Sequence, residues 1–209
     1  MLEAPPTLRV PRIDEIPPNP EVFERLKVRE AANIVEGFKL NLNTTHDLPF
    51  KFYSEININN SRLWTLFKAL ASHLPDMVSC IYNLYEEEST YSAYSERSEV
   101  LKLLCNYETE LTQDCNLEFG LIFHTKEKLE EVFVSDSKFI KFWGCNEALF
   151  RQTMNEFQLS EIPNLNFFDE FPKVVEPLTS FNQNVKETGV VISELKMFLK
   201  PKKKSWKFW

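Results

Sequence analysis

The chain has 209 residues, 43% hydrophobic, 26% charged and 13% aromatic, which is the composition of one large globular domain with a sizeable core. Its 18 phenylalanines contrast with four scattered glycines, Gly37, Gly120, Gly144 and Gly189, and this scatter excludes the clustered-glycine loops that cradle phosphates. The net charge is −7; residues 200–209 hold five lysines and no acid, so residues 1–199 carry 19 basic against 31 acidic side chains, a body that repels nucleic acid and suits a basic protein partner.

Six of the twelve prolines fall in the first twenty residues. Proline fixes φ and removes a donor, so residues 1–19 are expected to form an extended, loosely packed arm. Asn19 and Pro20 then open a helix, with Val22, Phe23, Leu26, Ala31, Ile34 and Val35 at roughly helical spacing up to Gly37. Phe38–Leu42 and Phe50–Ile58 alternate apolar and polar residues around a polar loop, as a hairpin does. Asn60 or Ser61 caps a helix with the stripe Leu63, Trp64, Phe67, Leu70, Ala71 and Leu74, and Pro75 stops it.

Met77–Tyr85 reads as a strand running into Glu86, Glu87 and Glu88, followed by a tyrosine-bearing loop, Ser89–Ser95. A helix is expected from about Glu96 to Leu111. The segments Leu117–Phe123, Leu129–Val134 and Lys138–Trp143, joined by short polar links, predict an antiparallel meander. Asn146 caps a helix bearing Leu149, Phe150, Met154 and Phe157. Beyond Leu159 the pattern weakens, and Val190–Leu199 fits a strand or a short helix. Together these predict an α+β domain over residues 20–199, with a mainly antiparallel sheet of five or six strands and helices packed on it.

Cys80, Cys105, Cys115 and Cys145 have neither zinc-ligand spacing nor the density of a disulfide framework, which points to reduced thiols. The first residues lack the basic and apolar regions of a signal peptide, and no stretch approaches the roughly 18 apolar residues of a membrane span, so a cytoplasmic location is expected. His46, His73 and His124 form no i, i+4 pair and read as surface or helix-end residues. Cys145 precedes a helix, where a thiol's pKa falls somewhat, although a small residue at a strand-to-helix turn accounts for it equally. No cofactor or metal is implied.

The acidic runs Glu86–Glu88, Glu130–Glu131 and Asp169–Glu170 are not natural catalytic dyads, because neighbours on a strand point to opposite faces. They suit a solvated face or an acidic recognition surface. Residues 200–209 mix lysines with Trp206, Phe208 and Trp209, a composition able to fold back on the acidic body or to contact a membrane or RNA.

From about residue 96 to 159, under a third of the chain, the order is a helix ending Glu110–Asp114, the three meander strands and a closing helix. In that order the segment resembles the small α+β immunity proteins of bacterial polymorphic-toxin and contact-dependent inhibition systems. The resemblance implies an acidic cytosolic protein that covers the active site of a cognate toxin, and it supplies no catalytic residues. The expected partner is therefore a basic protein, such as a toxin domain. Glu86, Glu87, Glu88, Glu130 and Glu131 are the expected electrostatic contacts, and Phe167, Phe168 and Phe171 the aromatic anchors. A small enzyme using His124 with Glu118 or Asp114 is the competing expectation.

Overall fold

The computed structural model describes residues 2–45 and 47–200. His46 and the tail 201–209, on which the membrane and RNA expectation rests, lie outside the described residues. The elements in chain order are β1 (Leu8–Arg9), α1 (Pro20–Glu30), β2 (Gly37–Leu42), β3 (Phe52–Asn57), α2 (Asn60–Ala71), β4 (Met77–Leu84), β5 (Thr90–Tyr91) and β6 (Ser95–Glu96). They continue with α3 (Arg97–Cys105), α4 (Glu108–Gln113), β7 (Leu117–His124), β8 (Leu129–Val134), β9 (Ile140–Gly144), α5 (Glu147–Glu156), β10 (Val174–Val175) and α6 (Thr188–Phe198).

The fold is α+β, with an antiparallel main sheet ordered β2-β3-β9-β8-β7-β4-β5 and β6 pairing with β4 beside β5. Its eight strands exceed the expected five or six. The surplus is β5 and β6, two-residue edge strands too short to show any periodicity. No described helix is long and apolar enough to cross a membrane.

One sheet face is dry. Strand alternation turns Phe52 and Ile56, Val78 and Cys80, Leu117, Phe119 and Leu121, Val132 and Val134, and Ile140 and Phe142 into a single core. Leu63, Trp64, Phe67 and Leu70 of α2 complete it at helical spacing. Trp64 stacks on Phe67 at 5.3 Å, and the Phe67 ring meets Phe119 edge-on at 4.8 Å. A second aromatic centre joins α5 to the sheet, where Phe150 lies 5.4 Å from Phe38, 5.1 Å from Phe52 and 5.4 Å from Phe142. Each fully buried side chain of this size contributes roughly 1.5–3 kcal/mol.

Several sequence-level expectations are corrected. The N-terminal arm is docked: Leu2, Thr7 and Leu8 are buried, and Leu8–Arg9 pair with Val174–Val175. Proline dictates an extended backbone but not whether that backbone packs. Helix α1 ends at Glu30, well before Gly37, and buries no residue fully. The expected 96–111 helix breaks at Asn106 and Tyr107 into α3 and α4. The terminal element is helical, with Val191, Ile192 and Leu195 facing the core. As expected, the Asn19 and Asn146 side chains cap α1 and α5 by accepting from the Glu21 and Leu149 backbone N–H groups.

Gly120 is a sheet position where the backbone of the neighbouring strand leaves no room for a side chain. A Cβ there would lie 2.5 Å from the Val132 carbonyl oxygen and 3.0 Å from the Phe133 Cα, both backbone atoms. Gly189, in the first turn of α6, has nothing within 4 Å of an added Cβ. Gly120→Ala is therefore expected to cost about 1–3 kcal/mol by overpacking, and Gly189→Ala to be neutral or stabilising by up to about 1 kcal/mol. Urea unfolding of the two variants beside the parent chain checks both.

Candidate functional site

The second face of the sheet is only partly covered. Its register sets out two cross-strand rows. One runs Tyr53, Trp143, Glu131, Ile122; the other runs Glu55, Lys141, Phe133, Gly120, Ile81, Tyr91. Tyr53 and Trp143 face each other with ring centroids 4.7 Å apart. Glu131 sits directly opposite Trp143 on one side and Ile122 on the other, and is half-buried there.

Burial on this face pushes the Glu131 carboxyl up to about 7, against the weaker pull of the Lys141 ammonium. The Tyr53 and Tyr91 hydroxyls are also raised, first by burial and then by neighbouring carboxylates, Glu131 among them. This face thus presents a carboxylate set between Trp143 and Ile122, with the Lys141 ammonium near enough to act on it.

The expected anchors do not belong to this open area. Phe167 and Phe171 are only 3% and 7% exposed. Phe167 plugs one end of the face, packed with Phe139 and Leu165 under Val35 and Ile162, and its ring lies 4.7 Å from that of Phe139. Phe168 is half-buried beneath the Arg29 guanidinium, 6.0 Å from the ring centroid. A polar neighbourhood in sequence, here Asn166, Asp169 and Glu170, says nothing about what the rings between them cover. Glu130 is likewise no free recognition group, being 6% exposed and paired with Lys128 at 2.8 Å. It and Glu131 point to opposite faces, as strand neighbours must.

Glu86, Glu87 and Glu88 stand exposed on the turn after β4, and none has an ion-pair partner among the described residues. Glu86 takes a left-handed conformation, φ 66°, in a turn closed by the Glu87 N–H donating to the Leu84 carbonyl. The Tyr85 N–H donates to the Asn116 carbonyl and fixes the turn to the sheet end. Tyr85 and Tyr91, 43% and 40% exposed, flank the three acids. The tyrosine-bearing loop is visible in the sequence, and its β-branched and aromatic residues, Thr90 and Tyr91, are the signal that it forms a sheet edge.

The competing catalytic pair is not assembled. His124 and Glu118 lie six residues apart on one strand, about 20 Å at strand rise. Glu118 instead accepts from the Asn83 side chain and the Asp136 N–H, and Asp114 accepts from Thr188 and Asn116. Both belong to a buried network around Lys138, whose ammonium donates to the Leu117 carbonyl at 2.6 Å and whose pKa is lowered by burial. Lys173 pairs with Asp136 in the same network. The Cys145 thiol lies 3.7 Å from the Pro49 carbonyl and 3.8 Å from that of Leu129, with no base beside it among the described residues. The described residues contain no cluster of three or more His, Cys, Asp or Glu able to hold a metal.

Two outcomes test these assignments. Lys138→Met strips a buried cation from among Asp114, Glu118 and Asp136, and should cost about 3 kcal/mol or more in urea unfolding. For Glu131 the folded state holds its proton to higher pH than the unfolded chain, whose carboxyl titrates near 4.5. Its stabilising contribution is thus complete below that value and is lost as pH rises toward 7. Glu131→Gln should therefore match the parent near pH 4 and exceed it at pH 8, by a Tm difference of about 3 °C or more. Thermal unfolding followed by circular dichroism at the two pH values measures it. No protein-family model matches the chain, and comparison with the curated proteins and with the solved structures returns no match.

Proposed function

We propose that this chain is a cytosolic, non-enzymatic binding protein whose acidic edge engages a basic protein partner, in the manner of an immunity or antitoxin protein neutralising a toxin domain. The observation that carries the reading is the exposed, unneutralised run Glu86–Glu88 between two half-exposed tyrosines. Tyrosine gives contact area at low entropic cost, while clustered carboxylates steer a cationic surface into register. The acidic balance of residues 1–199 extends that field beyond the edge itself.

In this reading the contact is made by Glu86, Glu87, Glu88, Tyr85 and Tyr91, with Glu131 on the adjoining open face. Phe167 and Phe171 hold the scaffold, and Glu130 has its own lysine. Association is fast and salt-sensitive because its long-range part is screened over about 10 Å at 0.1 M salt.

The test is affinity capture from the native cell at low salt. A basic protein should be recovered and released as salt rises, and the triple variant E86Q/E87Q/E88Q should bind it about tenfold more weakly, in line with a few tenths of a kcal/mol per exposed charge contact. Recovery of no protein partner at low salt would overturn the proposal.

A further inference from the structure

On the side away from β5 the main sheet ends in β2, and only the first part of that edge is covered. The Phe38 N–H donates to the Ser160 carbonyl at 3.0 Å and the Phe38 carbonyl accepts from the Ile162 N–H at 2.8 Å, as if a further, parallel strand were starting. It goes no further. The Ile162 carbonyl, which continued pairing would give to Leu40, accepts from the Leu165 N–H in a turn through Pro163. Toward β3 the bonded residues are the odd-numbered ones, a pattern that continues where the Asn43 N–H donates to the Lys51 carbonyl. The N–H and C=O groups of Leu40 and Leu42 therefore point outward, and among the described residues nothing bonds them.

Natural sheet edges are blunted by charges, prolines or bulges. Leu40, Asn41 and Leu42 supply none of these, and their pairing with β3 is regular. Phe38, Leu40 and Leu42 share the core side of the sheet, where Leu40 packs against the core and Leu42 is 61% exposed. Asn41 points to the other side and is exposed. The stretch is self-complementary. Laid antiparallel about a two-fold axis through Asn41, it sets Leu40 opposite Leu42 of a second copy and the two Asn41 residues opposite each other, and the outward groups match in four hydrogen bonds. Lys39 falls opposite Asn43 of the second copy, so the two Lys39 residues stand about 13 Å apart along the strands and like charges do not meet. Beyond Leu42 the chain leaves the strand in an Asx turn, the Thr45 N–H donating to the Asn43 side chain at 2.8 Å, which turns each copy away from the segment already on Phe38.

We propose that β2 is a self-association edge, at which two copies of this chain join their sheets through Leu40–Leu42. Four hydrogen bonds and four leucines cover less than the roughly 1,200 Å² of a stable interface, so the dimer is weak, with a Kd of about 100 µM. The edge is the one opposite Glu86–Glu88 and needs no basic partner, so the inference stands or falls apart from the function proposed above.

Sedimentation velocity of the full-length chain from about 10 µM to 1 mM tests it, and the parent should shift from monomer toward dimer across that range. Leu42→Pro removes an outward donor and leaves the β3 ladder intact, and should weaken association tenfold or more with unchanged circular dichroism. Leu42→Lys, at an exposed position, should do the same if the proline disturbs the hairpin. The register is read by disulfide trapping at 1 mM, with the exposed Cys105 replaced by serine. Asn41→Cys places two thiols on directly opposed residues whose Cα atoms lie about 4.5 Å apart, within disulfide range, and should give at least tenfold more linked dimer than Lys39→Cys. A parent that stays monomeric at 1 mM overturns the proposal. So does association undiminished in both Leu42 variants, or equal trapping at positions 39 and 41, since either places the contact elsewhere. A monomeric parent whose capture of another protein is lost in Leu42→Lys likewise overturns it and assigns the edge to that protein.

Discussion

The packing of α2 against the middle of the sheet is the contact from which the other surfaces follow. Trp64 and Phe67 close over Phe119, and the Phe119 side chain can point at them only if Leu117 and Leu121 do so as well. Pairing then carries the same choice to Val132 and Val134 on β8, and to Ile140 and Phe142 on β9. Every intervening residue is committed to the other side: Ile122, Glu131, Phe133, Lys141 and Trp143. A slip of one residue would exchange the two sets and bury Glu131 and Lys141 under α2. The half-open acidic and aromatic face is the reverse side of the core.

The Gly120 position shows how tightly that arrangement is drawn. The backbone of β8 approaches it so closely that a Cβ would strike Val132 and Phe133. With no side chain at Gly120, the Phe133 ring lies close over it, and Gly120 and Ile81 are both buried in their row. At the opposite end of the strands, Lys138 holds the sheet terminus together from within, in a left-handed turn position between β8 and β9, φ 59°. The carboxylates it gathers, Asp114, Glu118 and Asp136, are thereby occupied in structure.

Periodicity was enough to read the six long strands, the helices over α2 and α5, and both asparagine caps, because each repeats over several residues. Two-residue strands have no period, so β5 and β6 were invisible, and with them the edge that presents Tyr85 and Tyr91. Exposure was harder still. Phe167, Phe168 and Phe171 lie among polar neighbours, yet Phe167 packs on Phe139, about 28 residues earlier, a long-range contact that local pattern does not encode. Glu130 and Glu131 look alike in the sequence; strand parity alone separates a lysine-paired, buried carboxylate from one set between Trp143 and Ile122 on the other face. The acidic turn Glu86–Glu88 was legible because a charge run at a strand end has little alternative to solvent.

Among the 31 acidic residues, this turn is distinguished by three consecutive exposed carboxylates, whereas several other acids are neutralised by a neighbour. Arg9 holds Glu15 and Glu176, Arg151 holds Glu147 and Glu161, Lys186 holds Glu194, and Arg62 holds Glu36. Exposed pairs of this kind add little stability, but each cancels its own field at short range. Glu86, Glu87 and Glu88 have no such cancelling partner among the described residues, so their potentials add. They also sit beside an edge whose strands are two residues long and interrupted at Ser92, which bonds to Cys80 through its own backbone and hydroxyl. A short, interrupted edge resists indiscriminate strand pairing, while uncompensated charge selects the sign of whatever does pair.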